Sequence, residues 1–223
     1  LAKTQESVFR RELLTKPRSS LSEAALLDEL RSGTPAREIA AIWTLQERNE
    51  AMASPPALLE DLLVKCLRSK EPDVRAEAAG ALPLVSTTTE SLLEISDALK
   101  DRHDRVRIAA ASSLSHFAGH EDESQAIQDL TDALQDDVRL VVLNAAKSLT
   151  KFGPAAEPAL KKLLQRLRRS FNECNTDESH TILWAMRSIT GDTEKRLREF
   201  FGETDSEYLQ QALELLEAIQ DSA

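Results

Sequence analysis

Five short segments of this chain align on one apolar pattern, and that recurrence limits the fold more than any other feature. They read AIWTL (Ala41–Leu45), AAGAL (Ala78–Leu82), AASSL (Ala110–Leu114), AAKSL (Ala145–Leu149) and AMRSI (Ala185–Ile189). Successive copies start 37, 32, 35 and 40 residues apart. The flanks repeat too: Asp97-Ala98-Leu99 returns as Asp132-Ala133-Leu134, and Phe117 as Phe152, each 35 residues on. Units of this period cannot bury their own apolar faces and are stable only when stacked on neighbours.

Each period holds two helical patterns. Leu58, Leu59, Leu62, Leu63, Cys66 and Leu67 recur at three- to four-residue spacing, the mark of an amphipathic helix. Glu71-Pro72-Asp73 interrupts it, with Pro72 suited to the first turn of the next helix. Val74, Ala78, Ala81, Leu82 and Val85 then share one face. The same reading pairs Leu21–Leu30 with Pro35–Glu47, Leu92–Asp101 with Arg105–Phe117, Ala126–Gln135 with Val138–Phe152 (closed by Gly153-Pro154), and Pro158–Arg169 with Asp177–Thr190. Short connections make paired helices antiparallel. Only 6 Gly, 8 Pro and 4% aromatic residues leave too few turn and strand formers for a sandwich or barrel.

Asp73-Val74-Arg75-x-x-Ala78-Ala79-x-x-Leu82 resembles the core of a HEAT repeat, of the short kind also found in HEAT-like lyase proteins. Arg105-Val106-Arg107-x-x-Ala110-Ala111-x-x-Leu114 is similar; the other copies have Arg37-Glu38, Val141-Val142 and Thr181-Ile182 in place of Val-Arg. The resemblance implies an all-α fold: a right-handed α-α superhelix of about five antiparallel pairs with terminal capping helices. Expected units are 1–19 (an arm or capping helix), repeats at 20–50, 56–87, 90–119, 123–153 and 155–191, and C-terminal capping helices over 192–223. Together they are expected to form one continuous domain.

Net charge is −10, which disfavours a general nucleic-acid binder, since such affinity rests on neutralising phosphates. The charge is uneven: residues 1–19 carry +3, 20–136 carry −11, 137–170 carry +6 and 171–223 carry −8. The basic stretch holds Arg139, Lys147, Lys151, Lys161, Lys162, Arg166, Arg168 and Arg169. It is either a solvated helix face beside acidic neighbours or a patch for an acidic partner.

HEAT arrays line their concave face with second helices, so the resemblance implies a binding strip there. In this chain the strip falls at Ala40, Trp43 and Glu47; Glu77, Gly80 and Leu84; Ala109, Ser112 and His116; Asn144, Lys147 and Lys151; Trp184 and Arg187. Both tryptophans lie on it, and Trp and Arg are enriched at binding hot spots. The expected contact residues are Trp184, Arg187, Lys147, Lys151 and Trp43, the expected function non-catalytic protein binding or scaffolding, and the expected partner a protein, possible acidic character included.

The alternative is a HEAT-like enzyme or enzyme subunit: a phycobilin lyase type, or an alkylpurine DNA glycosylase type that would want a basic, aromatic inner face. HEAT-like deoxyhypusine hydroxylases bind iron through several His-Glu pairs, but this chain has only His120-Glu121. Zinc-protease, phosphate-loop, dinucleotide and nucleophile-elbow motifs do not occur. No metal, cofactor or catalytic residue is therefore expected. Cys66 reads as core and Cys174 as surface, 108 residues apart with no C-x-x-C pair. A reducing, cytoplasmic setting is the default. No apolar run is long enough for a membrane span. The sequence starts at Leu1, not Met, and is expected to be trimmed there.

Overall fold

A computed structural model describes residues 22–47, 57–202 and 205–221. The expected arm over 1–19 lies outside the described residues. Every regular element among them is helical: α1 (Glu23–Arg31), α2 (Pro35–Glu47), α3 (Ala57–Leu67), α4 (Pro72–Val85), α5 (Thr89–Ala98), α6 (Asp104–Ser113), α7 (Glu123–Ala133), α8 (Arg139–Leu149), α9 (Leu160–Asn172), α10 (Thr176–Ile189), α11 (Thr193–Phe201) and α12 (Ser206–Asp221). Two 3-10 segments, Leu114–Phe117 and Thr150–Ala159, join them. The fold is an all-α solenoid of helix pairs, and it divides into two compact units, residues 1–116 and 117–223.

Local signals set the helix ends. Ser22 caps α1 by accepting from the Ala25 N–H, Thr88 caps α5 through Ser91, and Asn175 caps α10 through Glu178. Pro72 opens α4, where its missing N–H costs nothing.

In the first unit the helices form two layers. The first helices α1, α3 and α5 pack in sequence, as do the second helices α2, α4 and α6. Ala78, Ala79, Ala110 and Ala111 are fully buried, and their small side chains let α4 and α6 approach closely. Leu82 and Leu114 are fully buried beside them. Arg75 explains the Val-Arg signature. Its guanidinium donates to both carboxylate oxygens of Asp101 at 2.6 and 2.9 Å, and to the Ser69 and Lys70 carbonyls at 2.8 and 3.1 Å. It thereby ties the start of α4 to the α5–α6 turn. Those bonds hold the Asp101 carboxyl below its usual range, and the His103 N–H adds to the effect.

In the second unit α7 packs on α8, α8 on α10, α9 on α10 and α10 on α12. Residues 150–159 depart from the expected pattern. The second helix of that repeat was expected to run through Phe152 and the next to start at Pro158. Instead one 3-10 segment joins them, with Gly153 at φ 53° as its kink. Pro154 and Pro158 lack the N–H donors an α-ladder needs, and Gly153 takes a backbone region that side chains disfavour. Beyond the repeats, α11 and α12 pack on each other and α12 lies against α10. Phe171 stacks on Tyr208 with ring centroids 6.0 Å apart, and the Tyr208 hydroxyl donates to Asn172 at 2.6 Å.

Candidate interaction face

In the second unit, α8 and α10 each bury one side and expose the other. On α8, Val141, Val142, Ala145, Ala146 and Leu149 are buried, while Leu140 is 54% exposed and Lys147 is exposed. Lys151, just beyond in the 3-10 segment, is also exposed. On α10, Ile182, Leu183, Ala185, Met186 and Ile189 are buried, while Trp184 is 45% exposed and Arg187 is exposed.

The two exposed faces sit in register. Arg139 in the first turn of α8 donates to Asp177 in the first turn of α10 at 2.9 Å. Further along, α10 packs on the 3-10 continuation of α8, so the two helices run the same way. Lys147 and Trp184 follow the paired residues at nearly the same offset. At 1.5 Å per residue both stand roughly 11 Å along their helices, abreast of each other. Leu140 stands near the start. Lys151 and Arg187 stand near the end.

The basic stretch is not one patch, and Arg166 corrects the sequence reading most. It is 4% exposed, not a surface cation. Its guanidinium donates to both oxygens of the fully buried Glu178 carboxylate at 2.5 and 3.1 Å. Beside it, Ser170 and Ser179 share a 2.7 Å hydrogen bond. Arg166 Nη1 is buried with no partner among the described residues. Arg139 pairs with Asp177, Arg168 with Asp205 and Arg169 with Glu173. Lys147, Lys151, Lys161 and Lys162 make no ion pair among the described residues. Only the first two of these lie on the second-helix side; Lys161 and Lys162 begin α9.

Arg187 has a second role: its Nη1 donates to the Ile219 carbonyl at 3.3 Å. Ile219 sits in the last turn of α12, where carbonyls have no intrahelical partner, so Arg187 also anchors the last helix. Trp43 lies on α2 in the first unit, half-buried between buried Ile42 and Thr44, and is not brought together with the others within one unit. In that unit Ala40, Glu77, Gly80, Leu84 and Ala109 are half-buried, and Glu47, Ser112 and His116 are exposed. Leu140 is the contact candidate that sequence reasoning missed. It sits in the run Leu140-Val141-Val142-Leu143, which reads as core, although its place four residues before Asn144 aligns it with the strip.

The thiols fall where expected. Cys66 is buried, and desolvation, with Glu38 nearby, pushes its thiol up to about 12; Cys174 is exposed. His120 is exposed, with its ring edge-on to Phe117. Among the described residues no three His, Cys, Asp or Glu side chains gather as a metal site, and no helix is long and apolar enough to cross a membrane.

The model for HEAT repeats matches residues 23–115, 59–150 and 92–174 in overlapping registers. The chain belongs to the HEAT-repeat family. HEAT repeats generally mediate protein interactions rather than catalysis. No curated protein matches the chain. Among solved structures, it is similar to the crystal structure of an engineered protein at 20% identity. That match covers 88% of this chain and 96% of the other, with a TM-score of 0.47.

Proposed function

We propose that this HEAT-repeat chain is a non-catalytic scaffold that binds a protein partner on the second-helix face of its second unit. Trp184, Lys147 and Lys151 make the contact, with Arg187 at its edge. One observation carries the reading: Trp184 stays 45% exposed between buried Leu183 and Ala185, abreast of a lysine that no described carboxylate matches. An exposed indole beside a cation with no ion pair among the described residues suits a hot spot, because Trp supplies a large rigid contact and Lys steers an acidic approach.

The test begins with proteins that wild-type chain retains and the K147E/K151E variant does not. Each is then purified and its affinity measured against both forms. The expected result is at least about a tenfold loss for the variant at unchanged melting temperature, or ~1.4 kcal/mol. Equal affinity of every purified partner for wild type and variant refutes the reading.

A further inference from the structure

The face has a polarity that its cations alone do not convey. From Arg139 to Lys151, and from Ser179 to Thr190, the chain contains no Asp or Glu. Of the carboxylates at the start of the two stretches, Asp177 is paired with Arg139, Asp136 accepts from the Val138 N–H, and Asp137 is exposed just before α8. On α12, which packs on α10, Glu207, Glu214 and Glu217 are exposed. The positive ground therefore covers α8 and ends at Arg187, whose guanidinium is turned to the Ile219 carbonyl.

Two large apolar side chains stand on the same ground, Leu140 at 54% and Trp184 at 45% exposure. Arg139–Asp177 sets them about 9 Å apart along the helix axes. The spacing of packed helices, 8–10 Å, adds the sideways step, so they lie roughly 13 Å apart on a diagonal. Lys147 stands beside Trp184, and Lys151 lies further along α8's continuation.

From these features we infer that the face is a docking site for an acidic protein segment carrying two apolar anchors, one seated at Leu140 and one at Trp184. Its carboxylates lie over Lys147 and Lys151. The inference rests on the proposed protein-binding role and narrows it to one kind of partner. Charge complementarity selects the acidic character. The exposed leucine selects a peptide over a nucleic acid, because Leu140 offers a phosphodiester backbone nothing. A backbone-tracking anion also needs a row of cations, and the face holds only Lys147 and Lys151 unpaired. In an extended segment the anchors fall about four residues apart, since each residue spans about 3.3 Å. Arg187 borders the acidic helix α12, so the segment's acidic end points away from α12.

A random peptide library of ~12 residues, long enough at about 3.3 Å per residue to pass both anchors, provides the test. The library is first depleted on the folded L140S/K147E/K151E variant and then selected on wild-type chain. The expected survivors are rich in Asp and Glu, with two Leu, Ile, Phe or Trp about four residues apart. Their affinity, read by Trp184 fluorescence in a W43F background, falls about tenfold in L140S and about tenfold in K147E/K151E. It weakens with added salt and persists in K147R/K151R. Survivors that are basic or uncharged, an absence of survivors, or L140S binding as wild type does overturns the inference. So does tighter binding of a single-stranded oligonucleotide that K147E/K151E abolishes, which would make the face a nucleic-acid site. A natural partner that loses affinity in K147E/K151E while acidic peptides fail to bind overturns this inference alone and leaves the protein-binding role standing.

Discussion

Replacing Glu178 with alanine is expected to unfold the second unit at much lower denaturant, because it strands a buried cation. Arg166 is 4% exposed and Glu178 fully buried, and both carboxylate oxygens accept from the guanidinium. Nη1 already lacks a partner among the described residues, so losing the carboxylate leaves the guanidinium without the two hydrogen bonds it makes to Glu178. Removing one member of such a pair typically costs about 3–5 kcal/mol, mostly the penalty of an uncompensated buried charge. Removing both at once is different. Arg166→Met with Glu178→Leu exchanges the pair for apolar groups of similar volume, and comparable exchanges range from neutral to about 1–4 kcal/mol stabilising. The double variant is therefore expected to recover nearly all of the single variant's loss. Urea titration followed by far-ultraviolet circular dichroism measures the global transition, and Trp184 fluorescence in a W43F background reports on α10 itself. The chain has two compact units, so the two signals are fitted separately before any free energy is derived. A loss below about 1 kcal/mol in Glu178→Ala, or a double variant no more stable than the single one, refutes the claim that this pair is buried and mutually dependent.

Three other outcomes follow from the same structure. Asp101→Asn is expected to destabilise the first unit at neutral pH. The wild-type carboxyl is held low by Arg75, so its stabilising effect is full above the unfolded value of about 3.9 and is lost as pH falls through the lower folded value. Melting curves against pH should therefore show the variant and wild type converging in acid; a constant gap refutes the linkage. Glu38 is 6% exposed, and burial raises its carboxyl with Lys65 only partly opposing. The folded state thus binds the proton more tightly, so wild type gains stability as pH drops toward the unfolded value, and Glu38→Gln should raise the melting temperature at neutral pH but not in acid. A thiol reagent at mildly alkaline pH should label Cys174 in the folded chain and reach Cys66 only on unfolding, since Cys66 is buried with its thiol pushed up to about 12. Two fast-labelling thiols in the native chain would contradict its burial.

Helix positions were readable because their causes are local. Pro72 opens α4 where a first-turn proline belongs, and the spacing of Leu59, Leu62, Leu63 and Cys66 gives the buried side of α3 without knowledge of its neighbours. The stop after Phe152 was legible in Gly153-Pro154, and the chain kinks at Gly153, but the 3-10 winding of residues 150–159 was not expected. The candidate face was half readable. Trp184, Lys147 and Lys151 follow from helical phase once the HEAT resemblance selects the second helices, whereas Leu140 sits in an apolar run that looks like core.

The sequence by itself determined a stack of helix pairs, because period, amphipathic phase and helix-end signals all act within a few residues of one another. Tertiary structure alone decided the fate of each charge. Arg139, Arg166, Lys147 and Lys151 are equivalent as letters in a basic stretch. Packing gave Arg139 a carboxylate on the next second helix, drew Arg166 inside against Glu178, and left Lys147 and Lys151 exposed with no ion pair among the described residues. A charge's energy depends on its distance to the opposite charge and on the water around it. Both are set by residues far away in the chain, which no local pattern records.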